Sequence, residues 1–340
     1  MKQHQLNPGP LLDDLGELVE AGYATSLVKT YDRKQIKVKG MRIKEWDYYY
    51  IGNDNYGIAF TVADNSYMWL TSVTFFDFIK PIETSKTGMG WFPNGKLNLP
   101  STSTQGDIQF ERKDQVFQFM IEDGKRHLKV NINHFQKGVN LIADMILEPT
   151  IKDTMVIATP FKKKGHFYYN QKINLLKSSG YVTIGDNTYD FNDAYGVLDW
   201  GRGVWTYKNT WYWSSMSAIH QGKPIGFNLG YGFGDTSQAT ENMFFYDNQV
   251  YKLDDITFEI PTDNNKHDYL SPWKITSKDK KVDLIFQPII DRHSHTNVLV
   301  IGSNQHQVFG TFSGSVTIDQ KTKIEFSNLM GFAEKVMNRW

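Results

Sequence analysis

The sequence predicts a mostly β protein, antiparallel and of sandwich or barrel type, built as two consecutive units. Three observations carry this. Apolar residues recur with a period of two, as where Leu128, Val130 and Ile132 alternate with Lys129, Asn131 and Asn133, the pattern of a strand with one buried and one wet face. Short turn signals separate such runs. No amphipathic helical pattern alternates with them, which argues against a βαβ design. At 340 residues the chain is about two domains long, taking roughly 150 residues for each, and either half can bury a core.

The elements follow in order. Residues 1–40 form an N-terminal arm. Within it Leu11, Leu12, Leu15, Leu18 and Val19 recur at three- and four-residue spacing. They read either as a helix, which Gly16 and the preceding Pro8 and Pro10 weaken, or as an extended arm carrying apolar anchors. Strands are expected at 46–51, 56–62, 68–76, 155–159, 224–230, 243–246 and 298–302. Residues 116–121 and 128–132 flank Asp123-Gly124, whose left-handed preference suits a tight hairpin. Similar hairpins are expected around Gly185-Asp186-Asn187 and around 319–322. The Ser/Thr-rich stretch 99–104 and residues 261–266 read as loops. Pro160 and the run Lys162-Lys163-Lys164-Gly165 suggest a boundary, giving a first barrel over 41–165 and a second over 166–340. Residues 331–340 are expected to hold a short helical turn.

Composition narrows the function. The 37 basic residues balance 37 acidic ones, which excludes a dedicated nucleic-acid binder and a basic membrane-surface protein. With no cysteine there is no disulfide framework, thiolate metal site or cysteine nucleophile. The N-terminus lacks the apolar stretch of a secretory signal, and no segment is apolar enough to span a bilayer as a helix. A cytoplasmic protein without integral membrane association is expected. The 22 Phe, 18 Tyr and 9 Trp call for large buried surfaces.

Chemistry concentrates at 196–215, which holds Trp200, Trp205, Trp211 and Trp213. Read as strand, short loop, strand, alternation puts Asp199, Gly201, Gly203 and Trp205 on one face, and Trp211 and Trp213 on one face of the next strand. Trp200 and Arg202 point the other way. The aromatic residues are either core or the wall of a ligand cavity inside a barrel. In the second case Asp199, desolvated by indoles, is the candidate general acid. Gly201 and Gly203 would leave room for ligand. Arg202 would orient a polar end of the ligand or brace the junction with the first half. A second cluster, 42–50, interleaves charge and aromatic residues: it is an edge strand, or it presents Trp46 and Glu45 to a ligand. Glu45 and Asp47 would then sit roughly 7 Å apart, within the range of paired carboxylates in glycoside hydrolysis. His293-x-His295 has metal-like spacing, but nothing fixes a third ligand, so no metal is expected. No Gly-x-Ser-x-Gly elbow is present, and the glycines at 230, 232 and 234 open no helix.

Four stretches then carry a resemblance: Arg42 to Tyr49, Leu198 to Trp205 with Trp211-Tyr212-Trp213, Gln307 to Gly314, and Gly331-Phe332-Ala333-Glu334. In these the chain resembles the bacterial family catalogued as domain of unknown function 2804. More distantly it is similar to the double lipocalin-like proteins, among them carotenoid hydratases of the hydroxyneurosporene synthase type and pericyclase-like enzymes. That resemblance implies two lipocalin-like β-barrels packed side by side and an apolar, isoprenoid-like or polyketide-like ligand. It also implies an Asp at position 199, although Trp200 stands where those hydratases often carry His. The expected function is binding of an apolar or amphiphilic small molecule, with cofactor-free lyase or isomerase chemistry if it is catalytic. A lipid carrier or sensor and a carbohydrate-directed protein are the alternatives.

Overall fold

The computed structural model describes residues 3–298, 301–319 and 321–339. Its strands form where alternation predicts them. The main ones are β1 (Ile43–Gly52), β2 (Tyr56–Asp64), β3 (Met68–Asp77), β4 (Ile82–Trp91), β5 (Ile108–Arg112), β6 (Gln115–Glu122), β7 (Lys125–Gln136), β8 (Val139–Pro149), β9 (Met155–Pro160), β10 (Phe167–Ile184) and β11 (Tyr195–Val204). They continue as β12 (Lys208–His220), β13 (Lys223–Tyr231), β14 (Met243–Tyr246), β15 (Gln249–Lys252), β16 (Ile256–Glu259), β17 (Trp273–Ser277), β18 (Val282–Val298), β19 (Ile301–Ile318) and β20 (Thr322–Arg339). Among the described residues these make two curled antiparallel sheets. One runs β4-β3-β2-β1-β11-β10-β8-β7-β6-β5, and the other β15-β14-β13-β12-β20-β19-β18-β17-β16. They are two consecutive lipocalin-like barrels lying side by side.

The first barrel draws its free edges together. Thr71 Oγ1 on β3 donates to Gln115 Oε1 on β6 at 2.6 Å, and Lys86 on β4 donates to the Asn133 carbonyl on β7 at 2.7 Å. The interior is filled by alternating residues such as Phe60, Phe117, Val130, Leu198 and Trp200. The β6–β7 hairpin turns at Asp123 and Gly124, both left-handed (φ 50 and 75), as the Asp-Gly pair requires. The second barrel has its own core, with Phe227, Trp273, Phe286 and Phe312.

Two features differ from expectation, one alternative left open by the sequence is decided, and one expected strand lies partly outside the described residues. The lysine run 162–164 turns within one sheet, because β9 pairs with β10; the chain passes from the first sheet to the second only between Val204 and Lys208. Residues 331–339 are not helical, and 340 lies outside the described residues: β20 runs through to Arg339, since Phe332, Glu334 and Val336 alternate against β12 and β19. The N-terminal segment takes the extended form, with Gly9–Pro10 paired to Lys29–Thr30. Leu11 and Leu12 are buried while Leu15 and Val19 are exposed, a division that a single helical stripe would not produce. The expected strand 298–302 includes residues 299 and 300, which lie outside the described residues; β18 ends at Val298 and β19 begins at Ile301.

The barrels are joined at a bulge in β10. Register against β11 slips between Ile173 and Leu176, and Leu175 takes φ 59. An extra residue there bends the strand and re-aims its side chains. Asn174 leaves the first sheet to donate to Ser215 Oγ (2.8 Å) and the Phe227 carbonyl (3.0 Å) of the second. The Leu175 amide donates to Ser217 Oγ at 3.0 Å.

Candidate active site between the barrels

Strands β1 and β11 pair side by side in the first barrel, and each has two faces. Toward the barrel interior point Glu45, Asp47 and Tyr49 from β1 and Leu198, Trp200 and Arg202 from β11. Toward the second barrel point Trp46, Tyr48 and Tyr50, and Asp199, Gly201 and Gly203. The core memberships of Tyr49, Leu198 and Trp200 on one side, and of Trp46, Tyr48 and Tyr50 on the other, fix this division. Alternation therefore groups Asp199, Gly201, Gly203 and Trp205 as the sequence predicts. The destination of that face differs from expectation: it looks out of the first barrel onto the second sheet. Likewise β11 and β12 are not neighbours in a sheet. They belong to different sheets and face each other.

Between these faces lies a cavity of about 270 Å³. Its deep end is aromatic. Trp46 and Trp205 meet edge to face at 5.2 Å, Trp205 and Trp211 at 5.7 Å, and Phe233 reaches Trp205 at 4.8 Å and Tyr168 at 4.7 Å. Such T-shaped contacts are the favoured aromatic geometry. Trp213 stands next to them, 6.0 Å from Tyr48 and 4.7 Å from Phe332. Gly201 and Gly203 do not open the site to ligand. A Cβ at 201 would collide with the Trp46 indole, and one at 203 would come within 3.4 Å of Tyr168 Cα and closer still to the Phe167 carbonyl. The glycine at 201 is the seat of Trp46.

Two polar rows face each other across the cavity. Register on the first sheet puts Lys172, Asp199 and Tyr48 side by side. Register on the second puts Trp213, Glu334, Gln307 and Arg292 side by side. Asp199 is paired: Lys172 Nζ lies 2.8 Å from its Oδ1, and Asn170 Nδ2 donates to the same oxygen at 2.6 Å. Lys172 also lies 3.8 Å from the centre of the Trp213 ring, a cation–π contact that joins the rows. Glu334 accepts from Trp211 Nε1 at 3.0 Å and from Gln307 Nε2 at 3.1 Å. Burial pushes its carboxyl up to about 7, with the Asp199 charge adding to the effect; the Trp211 hydrogen bond and Lys172 act in the opposite direction. Glu241, on the loop after β13, is also raised by burial, opposed first by Lys172. It occupies the space that a side chain at Gly230 would fill, its Oε1 2.7 Å from a Cβ built there.

Part of the residue set expected from the sequence comes together in this candidate site. Asp199, Trp46, Trp205, Trp211 and Trp213 line one cavity. Glu45 and Arg202 do not, and their placement is corrected. Glu45 is inside the first barrel, bound to Arg33 and accepting from Tyr31 Oη at 2.8 Å. Arg202 is fully buried there, with Nη2 3.0 Å from Asp47 and its remaining donors on the Trp46, Gly201 and Pro100 carbonyls. Glu45 and Asp47 do share one face, but each is bound to an arginine inside the first barrel, away from the cavity that Asp199 lines, which removes the hydrolytic pairing expected of them. Lys172, Glu241 and Glu334 were missed. A signal existed for Glu334: it is the one charge between Phe332 and Val336 on an alternating apolar face. The imidazoles of His293 and His306 stack at 4.1 Å, and His306 bonds Asp291; among the described residues no group of His, Cys, Asp or Glu could hold a metal ion. No helix among them is long and apolar enough to cross a membrane.

Fold and cavity define a class: a double lipocalin-like β protein with an aromatic-lined site between its barrels. The chain belongs to the family described as domain of unknown function (DUF2804), whose model matches residues 2–340. Two solved structures share the fold. A kievitone hydratase from Nectria haematococca is 12% identical, with a TM-score of 0.56 over 92% of this chain and 96% of its own. An AttH-type protein from Nitrosomonas europaea is 12% identical, with a TM-score of 0.56 over 92% of this chain and 98% of its own. No curated protein matches the sequence.

Proposed function

We propose that the protein binds an apolar or amphiphilic small molecule between its barrels and exchanges a proton with it, as a cofactor-free lyase or isomerase of hydratase-like type. The observation that carries this is the Glu334 carboxyl. It is buried, aimed into an aromatic cavity, and able to hold or release a proton near neutral pH. General acids work best when their pKa lies near the working pH. The donor role expected of Asp199 passes to Glu334, because Asp199 is held by Lys172.

In a hydration, Glu334 gives its proton to one carbon of a carbon–carbon double bond. Positive charge develops on the neighbouring carbon, where the Trp205 indole and the Asp199 carboxylate favour it. A water oxygen bonds to that carbon, and the proton it sheds goes to a carboxylate, which returns the site to its starting charge. Elimination is the same sequence reversed. Trp211 and Gln307 steady the Glu334 carboxylate once the proton has left. The likeness to a kievitone hydratase supports a binding fold of this kind.

The test reads proton transfer on whatever molecule the cavity holds. Protein purified from its own source is examined by native mass spectrometry for a bound small molecule, and that molecule is incubated with fresh protein in D2O. Deuterium uptake, or a gain or loss of water, is expected with the wild type. It should fall at least about 100-fold in Glu334→Gln, the size of a typical general-acid contribution, with binding within about tenfold. A bound molecule that returns chemically unchanged and undeuterated would make the protein a carrier and remove the catalytic reading.

A further inference from the structure

Beyond Tyr48 the floor of the cavity continues. Register pairs Tyr48 with Thr61 on β2, Thr61 with Ser72 on β3, and Ser72 with Thr87 on β4. All line the cavity. With about 4.8 Å between strands, the row from Lys172 to Thr87 is roughly 24 Å long. Its first half carries the charges and its second half only hydroxyls. Lys172 and Asp199 are buried while Thr87 is exposed, so the aromatic end is deep and the hydroxyl end is the mouth.

The hydroxyl row is unusual beside its neighbour on the same face. There Thr74 and Ser85 satisfy each other across the strands at 2.8 Å. In the cavity row Ser72, only 6% exposed, keeps Oγ buried without a partner among the described residues. Leaving such a group unmatched is destabilising, and a simple alanine would avoid it. The second sheet adds Arg292, Ser294, Gln305 and Asn338 to the lining. Ala63 and Leu70, paired across the same two strands, flank the row with apolar side chains.

We infer that the ligand is an elongated conjugate, with an aromatic or apolar head among the deep indoles and a neutral polyhydroxylated portion, of sugar or polyol chemistry, along the row Thr61–Ser72–Thr87. Side-chain hydroxyls both donate and accept, and the strand spacing matches that of alternate hydroxyls around a pyranose ring. The inference rests on the reading of the cavity as a ligand site, and deepens it by naming the ligand class.

Calorimetric titration with 2-naphthol, 2-naphthyl β-D-glucoside and 2-naphthyl sulfate tests both. The glucoside should bind about tenfold more tightly than naphthol, the worth of one or two net hydrogen bonds. In the triple variant T61V/S72A/T87V that preference should vanish while naphthol affinity holds, which also reports an intact fold. Equal binding of naphthol and glucoside to the wild type overturns the hydroxyl-rich ligand but leaves the cavity reading standing. A preference that survives in the triple variant, or a sulfate that outbinds the glucoside, overturns it too, the latter by making Arg292 an anion reader. No binding of any probe removes both.

Discussion

The two faces of the β1–β11 pair carry the same chemistry to opposite ends. On the inner face each carboxylate has its own guanidinium, Glu45 with Arg33 and Asp47 with Arg202. Arg202 is packed over Trp200 at 4.3 Å and spends its donors on backbone carbonyls. This is a finished network that stiffens the first barrel. Against the outer face three carboxyls, Asp199 on it and Glu241 and Glu334 opposite, share the field of the Lys172 ammonium. They cannot all be charged in a dry space at low cost, so protons remain to be moved. Buried charge builds structure where it is matched and supports proton chemistry where it is not.

The largest effect that separates the faces should come from Arg202→Ala. It strands Asp47, whose carboxyl burial already raises against the pull of Arg202. Breaking one side of a buried pair costs about 3–5 kcal/mol, to be read by urea unfolding. A loss under about 1 kcal/mol would mean that the inner network is not structural.

Next is the pH response of the outer face. The folded pKa of Glu334, about 7, lies above its ordinary 4.5, so the native state holds the proton more firmly than the unfolded chain. This contribution is full below about pH 4.5 and is lost as pH rises through about 7, roughly 3 kcal/mol in all. Unfolding free energies of wild type and Glu334→Gln should therefore diverge across that window, the variant gaining relative stability as pH rises. Parallel curves would return Glu334 to an ordinary carboxyl. Lys252, which burial lowers to about 7, acts above the window and with opposite slope, since the folded state favours its neutral form.

The smallest effect tests the seat of Trp46. Gly201→Ala should displace the indole at a cost of about 1–3 kcal/mol, and change the near-ultraviolet dichroism of the tryptophan cluster. An unchanged spectrum would mean that the ring has no fixed place there.

Much of the fold and part of the site are legible in the chain itself. The period of two marks the strands, Asp123-Gly124 marks a hairpin, and simple alternation separates Asp199 and Trp205 from Trp200 and Arg202. The partners are not legible there. Lys172 meets Asp199 only through the pairing of β10 with β11, and Glu334 meets Trp211 through the pairing of β12 with β20, more than a hundred residues apart in sequence.

The sequence alone determined which side chains share a face, because that depends only on the geometry of a single strand. Which face looks into a barrel and which looks at another sheet was decided by closure and docking, and both depend on the bulge at Asn174–Leu175 and on contacts between distant segments. An isolated strand is two-sided and carries no mark of which side will be enclosed, so the site came into being only when two curved sheets met.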